Sequence, residues 1–349
     1  MTKRTHVFLF ASAGVLVAGL ATALVAWASG AAVVGSNGPD ELAYVPVTAQ
    51  MVAYADVRQV MNSQLRDRLR QYQRGNPSGP DSIEARTGID FERDVDRVLV
   101  ASMGGGSGLL LPPPAGAGTV PGQGAGAVTR TGVSLLVARG RFDNVRMEGL
   151  MRQQGAQVAE YRGKRLISIK DDSHDAALAF AEPGLVLFGA GDAVRGALDA
   201  KAGAVNGIGG NREFMTMIDG VDEGTAWSVA KFDSLAATTP IPNAVVNQLP
   251  PINWLAASGR IDGGLHGLVR AEAQDEQAAL NLRDVVQGFL ALARLQSTRE
   301  PAYKGMLDSV ALNADGKSVS LSFDVTPAAL DLLTSSGNAA RRPAAPPRP

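Results

Sequence analysis

The chain has no cysteine in its 349 residues. That absence excludes disulfides, thiolate metal sites, thiol nucleophiles and lipid attachment through an N-terminal cysteine, so stability has to come from packing. Histidine is scarce, with His6, His174 and His266 the full set, which leaves little from which to build an imidazole-based metal or acid–base centre. Neither charge dominates: 33 Lys and Arg stand against 34 Asp and Glu, and no global field draws the protein to nucleic acid or to anionic lipid. The G-x-S-x-G elbow that exposes a hydrolase serine is missing as well. What remains is an ordinary globular composition, 45% hydrophobic and 19% charged, long enough for two domains.

Lys3 and Arg4 precede the run 7–35, which holds no charged residue. As a helix, about 20 such residues span the roughly 30 Å hydrocarbon core of a bilayer. With basic residues before it and no further one until Arg58, the run predicts a transmembrane signal anchor, the N-terminus in the cytoplasm and the remainder outside. The alternative is a cleaved secretory signal, because Ala26-Trp27-Ala28 fits an A-x-A site followed by small residues. Both readings export the chain, either tethered by one pass through a bacterial inner membrane or released to the periplasm. At the other end, residues 335–349 mix Pro, Ala and Arg without a period and are expected to form a disordered tail.

Between these ends, strand-like and helix-like segments alternate. MVAYADV (51–57) reads as a strand, and the residues after it place Val57, Val60, Met61, Leu65, Leu69 and Tyr72 on one face of a helix. DNVRMEGLMRQQG opens on an Asp cap and closes at Gly155, and the stretches 156–171 and 176–191 each predict a strand pair around a Gly163-Lys164 or Pro183-Gly184 turn. The order then repeats. TAQMVAYADV, from Thr48, aligns with TAWSVAKFDS, from Thr225, at five of ten positions, Val52 standing opposite Val229 in the alignment. LLVARGRFD likewise answers GLVRAEAQD, and the hairpins YRGKRLISI and ADGKSVSLSF share a Gly-Lys turn. The expected fold class is therefore α+β, with two related lobes, each an antiparallel sheet faced by helices, after the transmembrane helix. The boundaries are 1–38 for the cytoplasmic start, anchor and linker, 39–221 for the first lobe, 222–334 for the second and 335–349 for the tail.

The opening YVPVTAQMVAYADVRQVM, TGIDFERDVDRVLVAS, the strand pairs ending LVLFGAGDAVRGALDA, and NREFM resemble an uncharacterised bacterial family of exported, membrane-anchored proteins with tandem α+β units. The resemblance covers roughly residues 40 to 335 and rests on diffuse patterns. It implies an extracytoplasmic protein and transfers no active-site residue.

Candidate chemistry is thin. Gly189-Ala190-Gly191 passes from strand to helix, but the third glycine of a dinucleotide fingerprint would stand at Val194 and no acidic strand end follows, so a plain turn and no cofactor are expected. Ser228 and Lys231 have S-x-x-K spacing, yet lie in a strand, where positions three apart point to opposite sides. Asp171, Asp172, His174 and Asp175 carry groups that bind a divalent ion and equally suit a polar turn. Asp219, Asp222 and Glu223 read as an acidic, solvated connection, and His266 as a residue facing out of a strand. The basic residues between Arg58 and Arg74 recur at helical spacing and read as a solvated face.

The densest run of Gly and Pro, MGGGSGLLLPPPAGAGTVPGQGAGAVTRTG, is followed by a strand, which disfavours a phosphate cradle. Its second-lobe counterpart is the three-residue link Asp262-Gly263-Gly264, so residues 104–132 are expected to be a flexible insertion in a hairpin turn. Leu109, Leu110 and Leu111 in it form one apolar handle for a partner or membrane. The expected function is a noncatalytic, membrane-tethered extracytoplasmic protein binding a protein partner or envelope component. The alternatives are a carrier of lipid or another apolar ligand and, third, an envelope hydrolase using His174 or His266 with distant carboxylates. No cofactor, metal or nucleic acid is expected.

Overall fold

Alternation in Met51–Ala55 sends Val52 and Tyr54 to one side and Ala53 and Ala55 to the other, and all four are buried. A strand covered on both sides belongs in the middle of a sheet. The computed structural model describes residues 39–63, 89–103, 109–110, 132–133, 135–153, 155–170, 175–221, 224–238, 249–261, 264–296 and 301–326. Met51–Ala55 is β1, followed by β2 (Val95–Ser102), the short β3 (Leu109–Leu110) and β4 (Gly132–Val133), β5 (Leu135–Gly140), β6 (Gln157–Tyr161), β7 (Lys164–Lys170), β8 (Asp175–Glu182) and β9 (Leu185–Ala190). Then come β10 (Ala226–Lys231), β11 (Ile252–Ile261), β12 (Leu265–Ala273), β13 (Ala311–Asp315) and β14 (Ser318–Val325).

The fold is α+β, built on one 12-stranded antiparallel sheet in the order β13-β14-β12-β11-β10-β1-β2-β5-β9-β8-β7-β6. Both halves of the chain contribute to it, joined at β1–β10, where Val52 lies opposite Val229 and Tyr54 opposite Trp227. The two rings of the latter pair stack at 5.6 Å. The registers bring Ala55, Val95, Gly140, Ala226, Leu265 and Val325 to one end of the sheet.

Several expectations change. The Gly-Lys hairpins do not occupy equivalent places: β14 pairs with β12 as β9 pairs with β5, so β13–β14 stands where β8–β9 stands and β6–β7 is an added edge pair. Helix α1 (Val57–Met61), capped by Asp56 on the Gln59 amide at 2.7 Å, closes at Asn62, short of the predicted face through Leu65, Leu69 and Tyr72, which lie outside the described residues. Residues 103–134 link β2 to β5, adjacent antiparallel strands as β11 and β12 are, and within them β3 pairs with β4.

After α1 come α2 (Phe91–Asp94), α3 (Asn144–Gln153), α4 (Gly191–Lys201), α5 (Arg212–Ile218), α6 (Phe232–Thr238), α7 (Glu276–Gln296) and α8 (Pro301–Asp308), with 3-10 turns η1 (Asp40–Tyr44) and η2 (Ile208–Gly210). Asp143 and Asp275 cap α3 and α7 through the Arg146 and Ala278 amides at 2.9 and 2.7 Å. On the front of the sheet, the side of Val52 and Tyr54, η1, α4, η2 and α5 close a core that includes Leu99, Val137, Leu187, Phe214 and Trp227. Each fully buried side chain of that size contributes roughly 1.5–3 kcal/mol.

The helices on the back lie elsewhere. Met147 and Met151 of α3 cover Ile167, Leu178 and Val186 on β7–β9, whereas α7 and α8 set Leu282, Leu290 and Leu307 on the apolar back of β12 and β14. The front of β12–β14–β13 therefore has no helix over it among the described residues.

Candidate functional site

Strand alternation dictates what that uncovered front presents. Pairing aligns His266 with Asp324, Arg270 with Ser320, and Glu272 with Ser318, while Asn313 and Asp315 continue the same side onto β13. Each of these has an apolar neighbour in its strand that points to the back, such as Val319, Leu321 and Phe323. The result is a largely polar field at one edge of the sheet, interrupted on β12 by Leu268, which packs against the front core. Contacts within it include His266 Nδ1 with an Asp324 carboxylate oxygen at 2.5 Å, Arg270 Nε donating to Ser318 Oγ at 2.8 Å, and Arg270 with Glu272 at 4.0 Å. Ser309 Oγ accepts from the Asp324 amide at 2.9 Å and fixes the strand beneath the pair.

A second cluster sits where the described chain begins. Glu41 is only 1% exposed and accepts from Arg139 Nε of β5 at 2.5 Å, while its other oxygen has no hydrogen-bond partner. Arg139 also reaches Glu182 at 3.6 Å, and Glu182 accepts from the Tyr44 hydroxyl at 2.8 Å and from Lys201 at 3.3 Å. Lys201 Nζ stands 5.0 Å from the centre of the Tyr44 ring. Backbone pairing continues the clasp, the Val47 amide donating to Asn206 and the Ile208 amide to Val45. Burial, then the bond to Glu182, pushes the Tyr44 phenol above its ordinary range. The same hydrogen bond, ahead of Lys201 and Arg139, holds Glu182 below the usual carboxylate range against partial burial. Burial pulls the Arg139 guanidinium down, but Glu41 and Glu182 outweigh it and leave it raised.

A third feature is a cleft of about 120 Å³ between α2 and the start of α3, lined by Ile89, Arg93, Asp94, Arg141, Phe142, Asp143, Arg146 and Met147. Its walls meet through glycine. A Cβ on Gly140 would lie 2.0 Å from the Asp94 carbonyl oxygen, so only glycine permits the close approach in which the Arg141 amide bonds Asp94 at 2.7 Å.

No protein-family model matches the chain, and no curated protein does. Two solved structures are similar to it, crystal forms III and I of TP0453, at 10% and 11% identity and TM-scores of 0.43 and 0.44. Each alignment covers 85% of this chain and 98% of the other.

The residues singled out from sequence are scattered. His266 lies in the polar field and does meet a distant carboxylate, Asp324, but on an open sheet surface, the two side chains being 40% and 58% exposed. His6, Asp171, Asp172, His174, Asp222, Glu223 and Leu111 lie outside the described residues, and Asp175 opens β8. Asp219 closes α5. Leu109 and Leu110 form β3, opposite Val133 and Gly132. Gly189-Ala190-Gly191 is the turn from β9 into α4, and Ser228 lies in β10, buried, with Lys231 at its end over the Trp254 ring at 5.5 Å. No group of three or more His, Cys, Asp or Glu side chains placed to hold a metal occurs among the described residues. The clasp of Glu41, Tyr44, Arg139, Glu182 and Lys201 carries no spacing signal, since four separate elements supply it.

Proposed function

We propose that the chain is a noncatalytic, membrane-tethered extracytoplasmic protein that binds a protein partner or envelope component through the polar front of β12–β14–β13. The observation that carries this reading is the pairing of that uncovered front with an apolar back sealed by α7 and α8. A flat field of Ser, Asn, Arg, His and acidic side chains suits a hydrated partner surface and lacks the walls that chemistry needs to exclude water. The tether is the run 7–35, and the two halves are lobes related by duplication, a relation supported by the Val52–Val229 pairing of aligned residues. No described helix is long and apolar enough to cross a membrane, and the run 7–35 lies outside the described residues.

The lipid-carrier alternative finds no support in the cleft, whose about 120 Å³ falls below the roughly 300–1,000 Å³ of ligand pockets. The hydrolase alternative has His266 and Asp324, but both side chains stand on an open surface, 40% and 58% exposed.

Site-specific photocrosslinking in cells tests the reading. A photoreactive residue at Asn313, in the field, is expected to give a discrete adduct that one at Leu280, on the back, does not. Identical patterns at both positions, or no adduct at Asn313, would sink it.

A further inference from the structure

Large apolar side chains left in water are unevenly distributed. Those most exposed among the described residues are Val145 at 84%, Leu295 at 74%, Leu292 at 49%, Val205 at 44% and Leu280 at 42%. Four of these five stand at one end of the sheet. Val145 is in the first turn of α3, directly after Gly140 ends β5. Leu292 and Leu295 close α7, which leaves β12 at Ala273 and runs back until Leu290 packs with Leu265 and Val325. Val205 follows α4, whose last residue, Lys201, bonds Glu182 at the end of β8. Leu280 alone lies at the far end, one turn into α7.

The described chain begins at that same end. Glu41 is fixed to Arg139, two residues before Arg141, and only residues 36–39 separate Asp40 from the uncharged run 7–35. Five extended steps from Gly35 to Asp40 reach at most about 18 Å. A bilayer holding the run therefore lies within that reach of Asp40, beside this end of the sheet.

The cleft at this end carries three arginines, Arg93, Arg141 and Arg146, against two aspartates, Asp94 and Asp143. Of the arginines around the cleft, Arg93 is committed to Asp94 at 2.9 Å, and Asp143 gives an oxygen to the Arg146 amide at 2.9 Å. Arg141 donates to the Arg93 carbonyl, and neither Arg141 nor Arg146 has a carboxylate partner within 4.0 Å among the described residues. Guanidinium suits phosphate oxygens, and Arg141 and Arg146 share the cleft with Ile89 and Phe142, with Val145 next to Arg146 in the chain, the pairing of basic heads and apolar surface that a bilayer interface favours. Overall neutrality does not oppose this, because surface potentials act within a Debye length of about 8 Å.

We propose that this end of the sheet rests on the bilayer, with Val145, Val205, Leu292 and Leu295 at the headgroup boundary and Arg141 and Arg146 on phosphates of anionic lipid. The inference rests on the membrane-tether reading and adds a second, reversible contact to the anchor. Arg141, just after β5, and Leu295, in the last turn of α7 behind β12 and β14, are well separated across the sheet, so contact at both sets the sheet upright on the membrane and turns the polar field of β12–β14–β13 sideways, open to a partner.

The chain's lack of cysteine makes the test direct. Full-length Val145→Cys, Leu295→Cys and Leu280→Cys, each carrying one environment-sensitive fluorophore on the introduced thiol, are placed in nanodiscs of phosphatidylcholine alone or mixed with phosphatidylglycerol. A nitroxide at the headgroup of a tracer lipid is the quencher. Quenching is expected for the labels replacing Val145 and Leu295, stronger with phosphatidylglycerol, and absent for the label replacing Leu280. Arg141→Gln and Arg146→Gln should each lower the docked-to-free ratio about fivefold in the anionic discs. Equal quenching of all three labels, none in the Val145→Cys and Leu295→Cys chains, or indifference to both arginine changes would overturn the proposal. A chain that incorporates into discs but shows no contact defeats the docking and spares the tether; one extracted from cell membranes by carbonate defeats the tether and the docking with it.

Discussion

Val52 and Val229 face one another across the β1–β10 pair, both completely buried, at the seam where the two halves of the chain meet. They also hold the same place in the aligned stretches TAQMVAYADV and TAWSVAKFDS. In an antiparallel pair, aligned residues can coincide only at a local two-fold axis, so the seam has the form of a contact between like strands.

That seam is expected to make the described body unfold as one unit. Val229→Ala, which opens space beneath Trp227 and α5, should cost about 2 kcal/mol, and Val52→Ala a similar amount. The double variant should depart from additivity by about 0.5 kcal/mol or more, because the sites touch. Urea denaturation followed by fluorescence and by circular dichroism checks both points; two separate transitions would show that the halves fold independently.

Glu41 supplies a sharper case, since its carboxylate has one charged partner and an orphan oxygen. Arg139→Met strands that charge inside the protein and should destabilise by about 3 kcal/mol. Adding Glu41→Gln should recover most of the loss. Equal stability of Arg139→Met and the wild-type chain would mean that water already reaches Glu41.

The same clasp predicts pH dependence on two sides. Glu182 titrates lower in the folded chain than in the unfolded one, so its contribution is present above the ordinary carboxylate range and is lost as pH falls through the folded value. Tyr44 titrates higher when folded, so its contribution is complete below the ordinary phenol value, about 10, and fades as pH rises past it. Chemical denaturation across pH should show both slopes. Glu182→Gln should make the acid limb shallower, Asp94 still contributing to it, and Tyr44→Phe the alkaline one, where buried Tyr54 still contributes; unchanged limbs would contradict the assignment.

Gly267 in β12 lies under the Phe323 ring, where a Cβ would fall 2.2 Å from Cζ. Gly267→Ala should therefore cost roughly 1–3 kcal/mol through overpacking. Phe323→Leu in the same chain should relieve part of it, a reversal that thermal melts of the four combinations would reveal.

Local features of this fold were legible in sequence because local rules set them. Asp143 and Asp275 cap helices, and Gly163, Gly184 and Gly316 adopt positive φ in hairpin turns that their small residues signal. Sheet order was not legible in the same way. The hairpins YRGKRLISI and ADGKSVSLSF look alike because one turn type demands similar residues, whereas their places depend on which strand borders β5 or β12. The polar front was half visible: Ser318, Ser320 and Ser322 alternate with apolar residues, but alternation alone does not say which side a helix will leave bare. The clasp was invisible, because Glu41 and Arg139 are 98 residues apart and an isolated Glu carries no mark of its future burial.

The clasp also determines how mechanical load enters the protein. A pull on the N-terminal run reaches Glu41 and Tyr44 first, then passes through Arg139 and Glu182 into two strands inside the sheet, while the Val45 and Val47 pairings hand part of it to η2. Tension is divided among parallel connections before any strand is peeled from an edge. Load arriving at Glu41 is thus shared out before it can fray a strand, the property that the proposed tether requires.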